Sequence, residues 1–360
     1  MSLSRPTLPE NYFDITSAKL LTQPEPQFLM AKLFLSALGT SLPMPAGFGL
    51  DGRQVSSTGA AYSSADRDRL EIASALPNAL FALGVDFAKT PGSTIRINRP
   101  LFANTTYTQA SRKVQSGQSI TTTAIDIGSE QTHLVLERYA GPYDSTNSRV
   151  APFAIEAFDA NMGVHSLPSL VGTQLTRDFH KFLDSVMVTL GDSGTSIYPD
   201  GMLADNDATT AGSFPMTLEQ VSRTEQTMDD AFLPTLPDGR RVLALSPLQW
   251  KQLKHDPEYE AQAQYFPEFN LLFMGAYVGT VGKFHLFVSS TLSKPNNSSS
   301  VPVHRAIAMA PGCYMAGMGR PPRVANSTDD NYAETVKLVW LADLAFGIAD
   351  SRFFYSVRSA

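Results

Sequence analysis

The sequence predicts an α+β fold with more than one packed unit, and three observations lead there. Residues 166–190 repeat apolar side chains at helical spacing, a stripe that persists for about seven turns. Strand signals gather at 241–245, 271–274, 283–290 and 305–310. Residues 336–348 read as a long strand with one wholly apolar face. A chain of 360 residues also exceeds the roughly 250–300 residues at which one core stops growing.

Taken from the N-terminus, residues 1–60 are loosely organised. A short apolar helix is expected at 27–38, after Pro24 and Pro26 and before Gly39. Residues 47–64 are small and polar and read as loop, and a second helix is expected at 65–75. The block resembles an arm more than a domain, because it lacks the apolar periodicity to bury a core alone. Residues 92–100 alternate Ile95 and Ile97 with polar neighbours, and 132–139 alternate Leu134 and Leu136. Residues 119–127 are β-prone through their Ile and Thr. Two strand-like flanks around a polar middle predict a long two-stranded excursion, which is marginal in water without a partner surface.

The helix at 166–190 has Ser166 as candidate N-cap, Pro168 in the first turn and Gly191 as its expected stop. At 1.5 Å per residue it makes a rod of roughly 37 Å, a spine for other elements. Thr217 is expected to cap a helix that Pro234 ends. Asp238-Gly239 marks a turn, 241–245 a short buried strand, and Ser246-Pro247 the start of another helix. After the strand at 336–348, a bend at 347–350 precedes a last strand at 353–357.

Composition narrows the function. Charged residues are only 17% of the chain, against an ordinary ~25%. Hydrophobic residues stand at 43%, so the charge deficit does not signal disorder. It suggests that part of the surface is covered by other protein. A net charge of −6 argues against a dedicated nucleic-acid binder. One cysteine, Cys313, permits neither an internal disulfide nor a cysteine-based metal site. No secretory leader is expected from residues 1–10, and no apolar run reaches the ~18 residues of a membrane helix. The best run, 338–348, is short and holds Asp343.

No motif assembles a catalytic, cofactor or metal site, and none is expected. Residues 47–52 match G-x-G-x-x-G literally, but no strand precedes them. Gly282-Lys283 echoes a phosphate loop without its first glycine. The six histidines, His133, His165, His180, His255, His285 and His304, are scattered and read as surface or satisfied core residues. Asp200, Asp205 and Asp207 cluster in a loop, but Thr210 stands where a calcium loop needs glycine. Asp178 and Asp184 read as solvated residues on the polar side of the spine, and Cys313 as packing. Asn104, Asn297 and Asn326 begin formal glycosylation sequons, which mean little without a leader.

This order of elements resembles the major capsid proteins of tailed double-stranded DNA bacteriophages, the Hong-Kong-97-type fold. The phrases that carry the likeness are RVLALSPLQWKQLKHDPEYEA at 241–261, NLLFMGAYVGTVGKFHLFVSS at 270–290, and HRAIAMAPGCYMAGMG at 304–319 with ETVKLVWLADLAFGIADSRFFYSV at 334–357. The resemblance implies an N-terminal arm at 1–89 and an extended β-ribbon, the E-loop, at 90–140. It implies a peripheral domain at 141–195 with spine helix 166–190, an axial domain at 196–318, and a return to the peripheral domain at 319–360.

The function so implied is a structural, non-enzymatic shell subunit. Copies would form pentamers and hexamers of an icosahedral head around double-stranded DNA, assembled in the host bacterial cytoplasm and located in the virion. The implied partners are further copies, scaffolding, portal and possible cement or decoration proteins, and weak non-specific contact with packaged DNA. No membrane and no cofactor are implied. Some members of the family cross-link a ribbon lysine to a neighbour's asparagine. Lys113 is the only lysine in the ribbon middle, and no matching asparagine or glutamate is identified, so no cross-link is expected. An encapsulin-like compartment shell is the alternative with the same fold; a hydrolase with an unrecognised site is the alternative from another class.

Overall fold

A computed structural model describes residues 30–31, 34–35, 80–87, 93–100, 129–144, 146, 149–156, 167–236, 238–259, 277–327 and 335–360. Residues 30–31 and 34–35 are helical. Strands β1 (Phe81–Asp86), β2 (Thr94–Pro100), β3 (Ser129–Val135), β4 (Glu137–Gly141), β5 (Tyr143–Asp144), β6 (Arg149–Val150) and β7 (Phe153–Glu156) follow. Next come the long helix α1 (Leu167–Asp192), β8 (Thr195–Ile197), helix α2 (Leu218–Asp230), β9 (Arg241–Leu245) and helix α3 (Pro247–Lys254). The remaining strands are β10 (Tyr277–Val281), β11 (Phe284–Val288), β12 (His304–Met309), β13 (Tyr314–Ser327), β14 (Thr335–Ile348) and β15 (Phe354–Ser359).

Two sheets share α1. The first runs β1-β13-β14-β4, with β7 also paired to β14. The second runs β10-β11-β9-β12-β15-β8. On α1, Phe179 meets Trp340 of β14 with ring centroids 5.1 Å apart. One core cluster then continues along α1 through Leu183 and Met187 to Ile307 and Met309 of β12. The opposite face of the second sheet, through Leu243, Leu245, Ala306 and Ala308, buries Leu218, Val221 and Met228 of α2 and Leu253 of α3. That double cover explains why the short strand β9 is apolar at nearly every position: both of its faces are inside.

The one-sided strand β14 follows its sequence pattern. Leu338, Trp340, Ala342 and Leu344 enter the main core, and Phe346 and Ile348 pack beside it. Close approach decides one glycine here. A Cβ on Gly141 of β4 would sit 2.5 Å from Cε2 of Trp340. Gly141→Ala is therefore expected to push the indole out of place and lose about 1–3 kcal/mol, as overpacking does. Thermal unfolding checks it, and an unchanged melting temperature counts against this packing.

Several expectations need correction. The spine ends at Asp192, and Gly191 lies inside it instead of stopping it. A Cβ there would approach the Tyr314 hydroxyl to 2.7 Å, so close packing and not chain reversal requires glycine. Residues 81–86, inside the stretch expected to be an arm, form β1 and pair parallel to β13. The expected strand at 132–139 divides at Leu136, whose N–H donates to Ser93 O at 2.7 Å. β3 pairs with β2 in the ribbon, whereas β4 pairs with β14. β15 joins β12 and β8 in the second sheet, so the chain's last strand does not return to the sheet of β14. The start of β13, expected at the end of the axial unit, pairs with the end of β14. The expected helix at 65–75, the strands at 119–127 and 271–274, the glycine motif at 47–52 and Lys113 lie outside the described residues.

Candidate assembly surfaces

The buried polar groups that hold α1 to the two sheets define the rigid frame of the molecule. Asp184 was expected on the solvated side of the spine, but its side chain is completely buried. Its Oδ1 accepts the Met30 N–H at 2.8 Å and the Ala31 N–H at 3.2 Å, and its Oδ2 accepts the Thr291 hydroxyl. Helical amides that donate to a side chain belong to a first turn, where no preceding carbonyl is available. Asp184 thus satisfies the amides of helical residues 30 and 31 from a distant element. Burial pushes its carboxyl up to about 6, against the opposing pull of the Thr291, Ala31 and Met30 bonds.

Asp178 lies one turn and a half earlier and accepts the Trp340 Nε1–H at 2.7 Å. Burial raises its carboxyl, while that indole bond and Lys181 pull it down. The sequence placed both aspartates on a polar face because neither falls in the apolar series of the helix. The missed signal is that positions 179, 180, 183, 184, 187 and 188 are all buried, too wide an arc for a helix lying on one surface.

At the other end of α1, Asp192 ties the spine to the second sheet. It accepts the Ser356 hydroxyl at 2.8 Å and is paired with Arg305. Arg305 also reaches Asp205 at 3.0 Å, and Arg358 donates to Ser196 Oγ at 2.9 Å. Asp205 is therefore spent on this network. Asp200 pairs with Arg223, and Asp207 Oδ2 accepts the Ala204 N–H at 2.8 Å. Among the described residues no group of His, Cys, Asp and Glu could hold a metal ion.

The histidines divide as satisfied core and surface. His285 is fully buried and lies 2.6 Å from Asp238 Oδ2, and His304 lies 3.1 Å from the Ser246 hydroxyl. Burial lowers both imidazoles, and for His285 the Asp238 carboxylate opposes it. His180 is buried on α1. His165 lies outside the described residues. Cys313 is buried, with its thiol pushed well up by that burial, so it is inert packing. No described helix is long and apolar enough to cross a membrane.

Next to this frame are two open surfaces. The first is the ribbon of β2 and β3, registered from Thr94 opposite Val135 to Pro100 opposite Ser129. Its root is fixed by Leu134, buried with Phe87, Met315 and Ala345 on the far face of the first sheet.

The second surface covers both ends of α2. At the start, Thr217 caps the helix by accepting the Gln220 N–H at 3.3 Å, and Asp256 accepts the Leu218 N–H at 2.7 Å. Ser246, at the expected start of α3, forms a capping box with Gln249. At the end of α2, the buried Arg241 clamps the turn. It donates to Asp229 Oδ1 at 2.6 Å and to the carbonyls of Leu233 at 2.7 Å and Pro234 at 3.2 Å. Lys283 adds a 2.6 Å bond to Asp229, and Lys283 first and Arg241 second hold that carboxyl below its usual range.

Comparison with known proteins follows this geometry. No family model matches the sequence, and no curated protein matches it. Solved structures do. The chain is similar to the capsid of cyanophage Pam1 at TM-score 0.56 and 13% identity, covering 88% of this chain and 100% of that one. This is the Hong-Kong-97-type capsid fold. The cyanophage P-SCSP1u capsid is similar at TM-score 0.52 and 13% identity, over 77% of this chain and 86% of that one. The capsid of Ralstonia phage GP4 gives TM-score 0.51 and 13% identity, over 77% and 87%. The long helix expected at 166–190 is found as α1, and the expected α+β class holds.

Proposed function

We propose that the chain is a phage major capsid protein, a structural and non-enzymatic subunit whose copies close into an icosahedral head. The observation that carries this is the extent of the fold match, which takes in the whole of the Pam1 capsid chain. Composition and surface support it. A chain with 17% charged residues has uncharged polar stretches that can desolvate against neighbours without burying ions. The ribbon of β2 and β3 is a two-stranded element that gains stability by lying on another subunit.

In this reading the sheet of β13 and β14 with α1 is the peripheral domain, and the sheet of β9, β11, β12 and β15 is the axial domain. The E-loop is the ribbon of β2 and β3 with the residues between them, and the arm is the stretch ahead of β1. Copies occupy pentamers and hexamers in the virion, assembled in the host cytoplasm, with scaffolding, portal and cement proteins as partners. Contact with the enclosed double-stranded DNA is weak and sequence-independent, because a net charge of −6 leaves few cations to release phosphate counterions. Electron microscopy of the purified protein tests the reading. Closed shells of uniform size are expected, and a small soluble oligomer as the end state would sink it.

A further inference from the structure

The end of α2 presents an unusual residue. Leu233 N–H donates to Met228 O at 3.1 Å and Phe232 N–H to Asp229 O at 2.8 Å, the paired bonds of a Schellman turn. The position between them takes a left-handed backbone, normally glycine, yet it holds Phe232 at φ 53°. Its ring is 93% exposed. A bulky aromatic thus sits in a disfavoured conformation, aimed at solvent, on a turn that Arg241 holds rigid. Among the described residues, none covers this ring.

At the start of the same helix lies a hollow of about 450 Å³, lined by Pro215, Met216, Leu248, Lys251, Gln252 and His255. Leu248 is a second exposed apolar side chain on its wall. The 13 residues of α2 separate the hollow from Phe232 by roughly 20 Å at 1.5 Å per residue, so the chain cannot fill its own hollow with its own ring. The flanking charges differ in sign. Exposed Asp230 stands beside Phe232, whereas Lys251, in the last turn of α3, stands at the hollow, whose Asp256 is engaged by the Leu218 N–H.

We propose that Phe232 of one copy inserts into the hollow between α2 and α3 of a second copy, with Asp230 meeting Lys251. A knob and a hole at opposite ends of one helix make a head-to-tail contact, and such contacts generate rings when the rotation closes. This rests on the shell reading and names the contact within it. The aromatic anchor in a pocket, with a charged rim, has the form of an interface hot spot.

The test uses the full chain and its glycine variant. Phe232→Gly removes the ring and suits the left-handed turn, so the subunit's melting temperature is expected to hold or rise. Light scattering of assembling subunits is expected to show the critical concentration rising about thirtyfold or more, the size of a hot-spot truncation. Asp230→Lys is expected to weaken assembly as well, and the double variant Asp230→Lys with Lys251→Asp to restore it, because every copy contributes both sides. If the wild type assembles and Phe232→Gly assembles at the same concentration, the contact is wrong and the shell reading stands. If Phe232→Gly weakens assembly but the double variant does not restore it, the hollow is not the partner site. If the wild type never assembles, both fall.

Discussion

Asp184 is expected to contribute a loss of stability as pH rises from about 4 to about 7, opposed below about 6.5 by the buried His285 and His304, whose lowered imidazoles favour the folded state as pH rises. Its carboxyl titrates near 6 in the folded chain because burial disfavours the charge. In the unfolded chain it titrates near the ordinary ~3.9. Between those values the folded state holds a proton that the unfolded state has released, so this contribution declines with pH across the window and levels off above it. At 1.36 kcal/mol per pKa unit the loss amounts to about 3 kcal/mol. Asp184→Asn keeps an oxygen for the Met30 and Ala31 amides without a charge to bury. It is expected to remove this loss and to exceed the wild type at pH 8. Asp184→Ala, compared at pH 5, strands the two amides and the Thr291 hydroxyl and is expected to lose about 2–4 kcal/mol. Urea unfolding at both pH values measures all of this. A pH profile unchanged by Asp184→Asn would assign the titration to another group.

The second large effect is at Trp340. Its side chain is 1% exposed, stacked among Phe179 and Phe182 and bonded through Nε1 to Asp178. Trp340→Ala is expected to lose about 3–5 kcal/mol through the lost burial and the cavity left behind. Trp340→Phe keeps most of the packing and strands only the Asp178 carboxylate, for a loss of about 1–3 kcal/mol. Shifts in urea midpoint at constant slope check both. An alanine variant within 1 kcal/mol of the wild type, the size of a surface change, would mean that the spine is not held to β14 by this residue.

Much of the fold could be read in the sequence wherever a local rule suffices. The caps at Thr217 and Ser246 and the one-sided strand 336–348 depend on neighbours in the chain, and all three are found. The features that escaped depend on what comes from elsewhere. Asp184 looks like a surface residue until Met30, Ala31 and Thr291 arrive over it. Gly191 looks like a helix stop until Ile307 and Tyr314 close on it. The break at Leu136 is invisible because alternation continues through it, and only the choice of partner strand changes. The surface at α2 escaped for the opposite reason: nothing local distinguishes Phe232 from a core aromatic, and its exposure is known only from the packed structure.

The position of β15 has a consequence for the order of synthesis. It lies between β12 and β8, and among the described residues β8 has no other strand beside it. A ribosome must therefore deliver residues 354–359 before the second sheet can close and before Ser356 can reach Asp192 at the end of the spine. Until then the sheet has an unpaired edge and a long-range closure still to make, which slows folding. A chain not yet made through Ser359 therefore leaves β12 and β8 without the strand that joins them.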